Sequence, residues 1–330
     1  MVLIFSPHPD DECITGGLAL RLLREAKWNV INVAVTLGSR RERHAARLRE
    51  LQDACAALGF GLVLPCKLGL DRINLEMRRR NRAHWLAAVG VIAQILAEHQ
   101  PRVIFFPHER DVHETHIGAH FLVLDALKTL PAAFKCHVVE TEFWGQMTEP
   151  NLLIESSAKD VADLVAALAC HVGEVRRNAY HARLAAWMID NVRRGAELVG
   201  GPSPRRSGSV HAGGQGGAAP DFAFATIYRL RKWKAGKLQK NPGGGKFLST
   251  AENSPWDDRL DLFSLARMVL GAYFFGFLCE PQPLRLWSMA NRTKRHWPIR
   301  KLEGIPAIHQ NKAKSCWFST APAHHPASSL

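Results

Sequence analysis

Val2-Leu3-Ile4-Phe5-Ser6-Pro7-His8-Pro9-Asp10-Asp11-Glu12 opens the chain, and its reading decides the fold. Val2–Phe5 is a short apolar run with the length of a buried strand. A polar cluster follows at once, and then Ile14, Leu18, Leu22 and Leu23 recur at helical spacing. The alternation continues outward. Strand-like runs at Val30–Val35, Gly61–Cys66, Val103–Phe106, His137–Phe143 and Asn151–Ser156 are separated by helical stripes through Leu48–Leu58, Trp85–Leu96 and Ile117–Leu127. Strands alternating with helices of this length predict an α/β fold: a doubly wound, mostly parallel Rossmann-like sheet with helices on both faces.

Composition sets bounds on that core. With 330 residues and 47% hydrophobic side chains, neither a disordered chain nor a disulfide-stapled mini-protein fits. The formal charge of +13 is uneven: residues 1–200 carry 24 Lys/Arg against 23 Asp/Glu, and residues 201–330 carry 19 against 7. The basic character therefore belongs to the C-terminal part. Seven cysteines, an odd number without a C-x-x-C pair, point to reduced thiols. Val2–Phe5 is too short for a signal peptide, and a cytoplasmic location is the expectation. Met268–Cys279, 12 apolar residues long, suits a buried or interfacial helix better than a membrane span.

The divisions expected are a core over 1–199, a flexible Gly/Ser/Pro-rich loop over 200–220, a completion of the domain over 221–279, and a basic tail over 280–330. Residues 158–199 read as a C-terminal helical elaboration.

Two clusters carry chemistry. His8-Pro9-Asp10-Asp11 follows the first strand, and Asp111-Val112-His113-Glu114-Thr115-His116 follows the fourth. In an open parallel sheet both lie at the carboxyl ends of strands, along the crevice where such folds bind ligands. Two imidazoles and a carboxylate make a catalytic zinc set that leaves one position for water. Neighbouring side chains diverge, so one of Asp10 and Asp11 can bind metal while the other faces the water. His8 supplies one imidazole, and His116 completes the set.

These residues resemble the PIG-L (LmbE-like) family of zinc-dependent de-N-acetylases, marked by His-Pro-Asp-Asp-Glu after the first strand. Thr36-Leu37-Gly38, and Arg47 with Glu50 on the next helix, extend the likeness. The resemblance implies His8, Asp11 and His116 as metal ligands and Asp10 as general base. It implies His113 as the histidine at the reacting carbonyl or leaving amine, and Arg47 as a substrate-binding residue. It also implies hydrolysis of an N-acetyl group on an N-acetylglucosamine-type small molecule or glycoconjugate. Two departures stand out. Thr115 occupies the place of an Asp that orients the catalytic histidine, leaving Asp111 and Glu114 as the carboxylates available for that role. Ser39 replaces a carboxylate common after Thr-x-Gly.

The ligand set suits Zn²⁺ and would also accept Fe²⁺, Co²⁺ or Mn²⁺. The expected partner is a small amino-sugar, with no oligomeric state readable. Two rival readings are a non-catalytic metal- or carbohydrate-binding protein, and nucleic-acid binding through the tail. The tail sets Trp287 and Trp297 among Arg292, Lys294, Arg295, Arg300 and Lys301 without a recognisable module.

Overall fold

The central strands are apolar along most of their length because both of their faces are covered. In strand β1 (Val2–Ser6), Val2 and Ile4 join one hydrophobic cluster while Leu3 and Phe5 join another. The computed structural model describes residues 1–200 and 223–239. The expected Gly/Ser/Pro-rich loop, the apolar run Met268–Cys279 and the basic tail over 280–330 lie outside the described residues.

After β1 come α1 (Asp11–Ile14), α2 (Gly17–Arg24), β2 (Val30–Ala34), α3 (His44–Leu58), β3 (Gly61–Val63), α4 (Leu75–Arg80), α5 (Arg82–His99) and β4 (Val103–Pro107). Then follow α6 (Glu114–Thr129), β5 (Cys136–Thr141), β6 (Leu152–Ser156), α7 (Ala158–Ala169), α8 (Val172–Val175), α9 (Tyr180–Gly195), β7 (Phe224–Lys234) and β8 (Lys237–Gln239). The sheet order is β3-β2-β1-β4-β5-β7-β6, with β8 paired to β7. The five strands from β3 to β5 in that order are parallel, as the sequence pattern predicts. Helices α2, α3, α7 and α9 supply the cluster on one face, and α5 and α6 the cluster on the other. Truncating a side chain such as Phe5 to Ala would cost about 3–5 kcal/mol, transfer and cavity terms together.

One element is new relative to the sequence pattern. Beyond the helical elaboration, β7 runs antiparallel between β5 and β6, pairing Cys136 with Trp233 and Leu152 with Tyr228. The buried Tyr228 hydroxyl donates to the Thr15 carbonyl (2.8 Å) and accepts from the Leu18 N–H (3.2 Å). A strand from the far end of the core thus ties down the segment just after the His-Pro-Asp-Asp cluster. No helix among the described residues is long and apolar enough to cross a membrane.

The connection order reverses at β1, which has β2 on one side and β4 on the other. Loops leaving the carboxyl ends of β1 and β4 therefore meet at the switch point of the sheet. Those loops carry the two clusters.

Candidate metal centre and active site

The loop after β1 is braced by the end of β2. Val35 N–H donates to the Ser6 carbonyl (2.9 Å), and the Thr36 hydroxyl donates to the Pro7 carbonyl (2.7 Å). His8 N–H donates to Asp11 Oδ2 at 2.8 Å, folding the loop back before α1 begins. Asp10 stands at the N-cap of that helix with φ 114°, a left-handed backbone conformation that costs a non-glycine residue about 1–3 kcal/mol. Gly38 is required opposite it: φ is +87°, and a Cβ there would lie 2.1 Å from an Arg47 guanidinium nitrogen.

The loop after β4 is organised by Asp111. Its carboxylate accepts from the N–H groups of His113 (2.9 Å) and Trp144 (3.1 Å), and lies 3.4 Å from His116 Nδ1. His113 caps α6, its Nδ1 accepting from the Thr115 N–H at 3.2 Å. That bond leaves Nε2 as the nitrogen that carries the proton in the neutral ring. His116, one turn in, is buried.

The two loops bring three donor atoms together. His8 Nδ1 and His116 Nε2 are 3.2 Å apart, and they lie 3.4 and 3.3 Å, respectively, from Asp11 Oδ2. Tetrahedral ligands at zinc-like bond lengths sit roughly 3.3 Å from one another, so the triangle has the size such an ion requires. His113 lies in the same group, with donor atoms of His8, His113 and His116 all within 4.8 Å. The tighter triangle, with its carboxylate, makes His8, Asp11 and His116 a candidate set to hold a cation, beside the group of three histidines.

Charge is arranged to match. Burial works against ionisation of Asp11, yet the charge and hydrogen bonds of His116 and His8 hold its carboxyl far below the usual range. Burial lowers His116, but Asp11 and Asp111 outweigh it and push the imidazole up to about 10. His8 is lowered, chiefly by burial. Burial and the neighbouring His8 and His116 bring His113 down to about 4. Asp10 moves the opposite way from Asp11: burial, then the charges of Asp11 and Glu12, raise it well above an ordinary carboxylate. Two adjacent carboxyl groups thus occupy opposite electrostatic environments, the pattern expected of a ligand beside a proton acceptor.

The cluster opens into a cavity of about 660 Å³. Asp10, Asp11, Arg47, His113 and Thr115 line it, together with Arg40, Arg41, Arg72, Trp144, Tyr180 and Trp187. Arg47 reaches the Pro9 carbonyl (3.0 Å) and lies 3.6 Å from Glu174, with its Nε left without a partner. Of the two carboxylates available in place of the residue at Thr115, Asp111 contacts the His116 ring rather than that of His113. Glu114 is exposed and makes no side-chain hydrogen bond or ion pair among the described residues.

Local patterns did not reveal Glu174, and left His171 equally open to a solvated helix face or a pocket-lining role. His171 is fully buried, with Nε2 2.6 Å from Glu12 Oε1, rather than on a solvated or pocket-lining helix face. Glu174 is buried against Arg43 at 3.0 Å and pairs with Arg177. Arg193, which the sequence leaves equally open to a solvated face or a pocket wall, lies on the surface, bonded to Asp190 and Glu197 within about one turn.

The chain is similar to known proteins. A family model described as PIG-L, GlcNAc-PI de-N-acetylase, matches residues 3–127. A Segniliparus rotundus protein named 1D-myo-inositol 2-acetamido-2-deoxy-alpha-D-glucopyranoside deacetylase is 30% identical over 38% of this chain and 49% of its own length. A Bacillus cereus protein named "Probable N-acetyl-alpha-D-glucosaminyl L-malate deacetylase 2" is 30% identical over 39% of this chain and 62% of its own. The chain thus spans about half to three-fifths of these relatives. A conserved protein from Thermus thermophilus shares the fold at 18% identity, with a TM-score of 0.50 over 76% of this chain and 99% of that one. The matched residues 3–127 hold both the His8–Asp11 loop and the His113–His116 turn, and over them the chain resembles the PIG-L family.

Proposed function

We propose that this chain is a metal-dependent hydrolase that removes the N-acetyl group from an N-acetylglucosamine-type glycoside. The observation that carries the reading is the triangle of His8, Asp11 and His116 donor atoms, 3.2–3.4 Å on each edge, at the end of a cavity that Asp10 also lines. The names of the two curated relatives support an acetylated amino-sugar as the substrate class.

Held by these three residues, a divalent cation, Zn²⁺ in this reading, supplies Lewis acidity that acidifies water and polarises an amide carbonyl. The protein's own groups do the rest. Asp10, set beside the triangle, takes the proton of the attacking water on its carboxylate. His113, neutral with Nδ1 engaged by the Thr115 N–H, presents Nε2–H as a donor to the oxygen that gains charge. Because His113 is held low, near 4, it does not store a proton at neutral pH. Asp10 therefore also returns the proton to the departing amine, as acid and base in turn. Trp144, Tyr180 and Trp187 give the cavity an aromatic wall for the sugar. Arg40 and Arg41 at the mouth suit an acidic aglycone.

Acetate release from N-acetylglucosamine glycosides by cation-loaded protein, compared with Asp10→Asn and with elemental analysis of both, tests this. Release by wild type and loss in the variant, with cation content equal, is the expected result. No release from any acetylated sugar by fully loaded protein would overturn the reading in favour of a binding protein.

A further inference from the structure

The peptide unit joining Pro9 to Asp10 fixes where the Asp10 carboxylate points, and it is gripped at both ends. Its carbonyl, on Pro9, accepts from the Arg47 guanidinium at 3.0 Å. Its N–H, on Asp10, donates to Glu12 Oε2 at 3.0 Å. The helical bonds of α1 do not serve this purpose, since Cys13 and Ile14 hold the Asp10 carbonyl on the other side of the residue. A left-handed φ of 114° on a non-glycine residue persists only when its surroundings over-determine it.

One short turn braces both grips. His171 Nε2 meets the other oxygen of Glu12 at 2.6 Å, and Glu174, three residues on, lies against Arg47 and Arg43. The turn is seated by the Gly173 N–H donating to Glu50 at 3.0 Å. Glu12 is buried and has no Arg or Lys partner among the described residues; its contacts are Asp10 N–H, the Cys13 thiol and His171. A buried carboxyl group without a strong cation is a poor way to fill space. It is a good way to hold a backbone N–H in one direction.

We propose that His171 is a positioning residue for the reaction: through Glu12 it locks the Pro9–Asp10 peptide unit, and hence the Asp10 carboxylate, beside the metal ligands. The proposal rests on the reading of Asp10 as the proton acceptor. His171 itself touches neither the cavity nor the three donor atoms, so its influence is on geometry alone. Misplacing a reacting group by about an ångström costs on the order of a hundredfold in rate.

The experiment measures kcat, KM and bound cation for His171→Leu, His171→Gln and Asp10→Asn on one N-acetylglucosamine glycoside. His171→Leu is expected to lower kcat about 10- to 100-fold, with KM within a factor of about three and cation content unchanged. His171→Gln, whose amide nitrogen reaches the same oxygen of Glu12, is expected to recover most of the loss. If His171→Leu does not fold, Glu12→Met takes its place, since it removes both acceptor oxygens at similar length, and the same fall in kcat is expected. Wild-type kcat in the variant, or a fall that only tracks lost cation or folded protein, overturns the proposal. Asp10→Asn as active as wild type would instead refute the role of Asp10, so the two failures are told apart.

Discussion

Two clusters on this sheet have nearly the same ingredients and opposite fates. His8, Asp11, His113 and His116 gather at the carboxyl ends of β1 and β4; Glu109, His120 and Glu140 gather a turn or two away, beside β4 and β5. In the second cluster every negative charge has a guanidinium: Arg229 meets Glu140 at 2.5 Å and also pairs with Glu109, and Arg231 meets Glu140 at 3.0 Å. The His120 ring is spent on the Pro107 carbonyl at 2.9 Å. In the first cluster the three closest donor atoms face one another, no guanidinium among the described residues pairs with Asp11, and a cavity opens in front. Residue types do not make a metal site. Donor atoms left pointing at a common space do.

The largest effect should separate the clusters outright. Asp10→Asn is expected to lower acetate release about 10²- to 10⁴-fold while the cation stays bound, and His116→Ala to lose the cation itself. Glu140→Leu should do neither. It removes one of the two carboxylate partners of the buried Arg229, Glu109 remaining, and is expected to cost about 1.5–3 kcal/mol in urea unfolding with cation content unchanged. A loss of bound cation in Glu140→Leu at full folding would break the comparison.

Acidity sharpens it further, because the clusters titrate in opposite directions. The raised pKa of His116 stabilises cation-free protein fully below its ordinary 6.5, and that contribution fades as pH climbs towards about 10. Over the same window apparent cation affinity should rise, by up to about tenfold per pH unit for one displaced proton. Glu109, lowered to about 2 despite partial burial by its bond to Arg229, stabilises above its ordinary 4.5 and is lost only as pH falls towards 2. Denaturation followed by calorimetry with and without cation reads both limbs. A cation affinity flat from about pH 6.5 to 9 would contradict the assignment of His116. The smallest effect belongs to the cavity mouth: Arg40→Glu with Arg41→Glu should raise KM for an anionic glycoside by about two- to fivefold, an effect abolished by about 0.5 M salt.

Much of the parallel core is legible in the chain because local rules write it. Runs such as Val103–Phe106 and helical stripes such as Trp85–Leu96 form where their spacing predicts, with strand ends shifting by up to three residues, as at β3. The two clusters are legible for the same reason, each following a strand within a few residues. Strand β7 is not, because its place between β5 and β6 depends on pairing across 70 residues or more, from Leu152 to Tyr228 and from Cys136 to Trp233. His171 is invisible for a similar reason: its partner Glu12 is 159 residues away, and nothing in its own neighbourhood distinguishes it from a surface histidine.

The sequence by itself determined the alternation of strands and helices, and the place of each cluster directly after a strand, since hydrophobic period is a short-range property; the pairing of Val2 with Val103 that brings the His8 and His116 loops together is a long-range contact. Only the tertiary structure decided that Asp11 lies against His8 and His116, that Asp111 contacts His116 while the Thr115 backbone holds His113, and that His171 and Glu174 sit against Glu12 and Arg47, the two groups bonded to the peptide unit before Asp10. Those outcomes turn on side-chain direction, burial and charge supplied by residues far along the chain, and no local pattern carries that information.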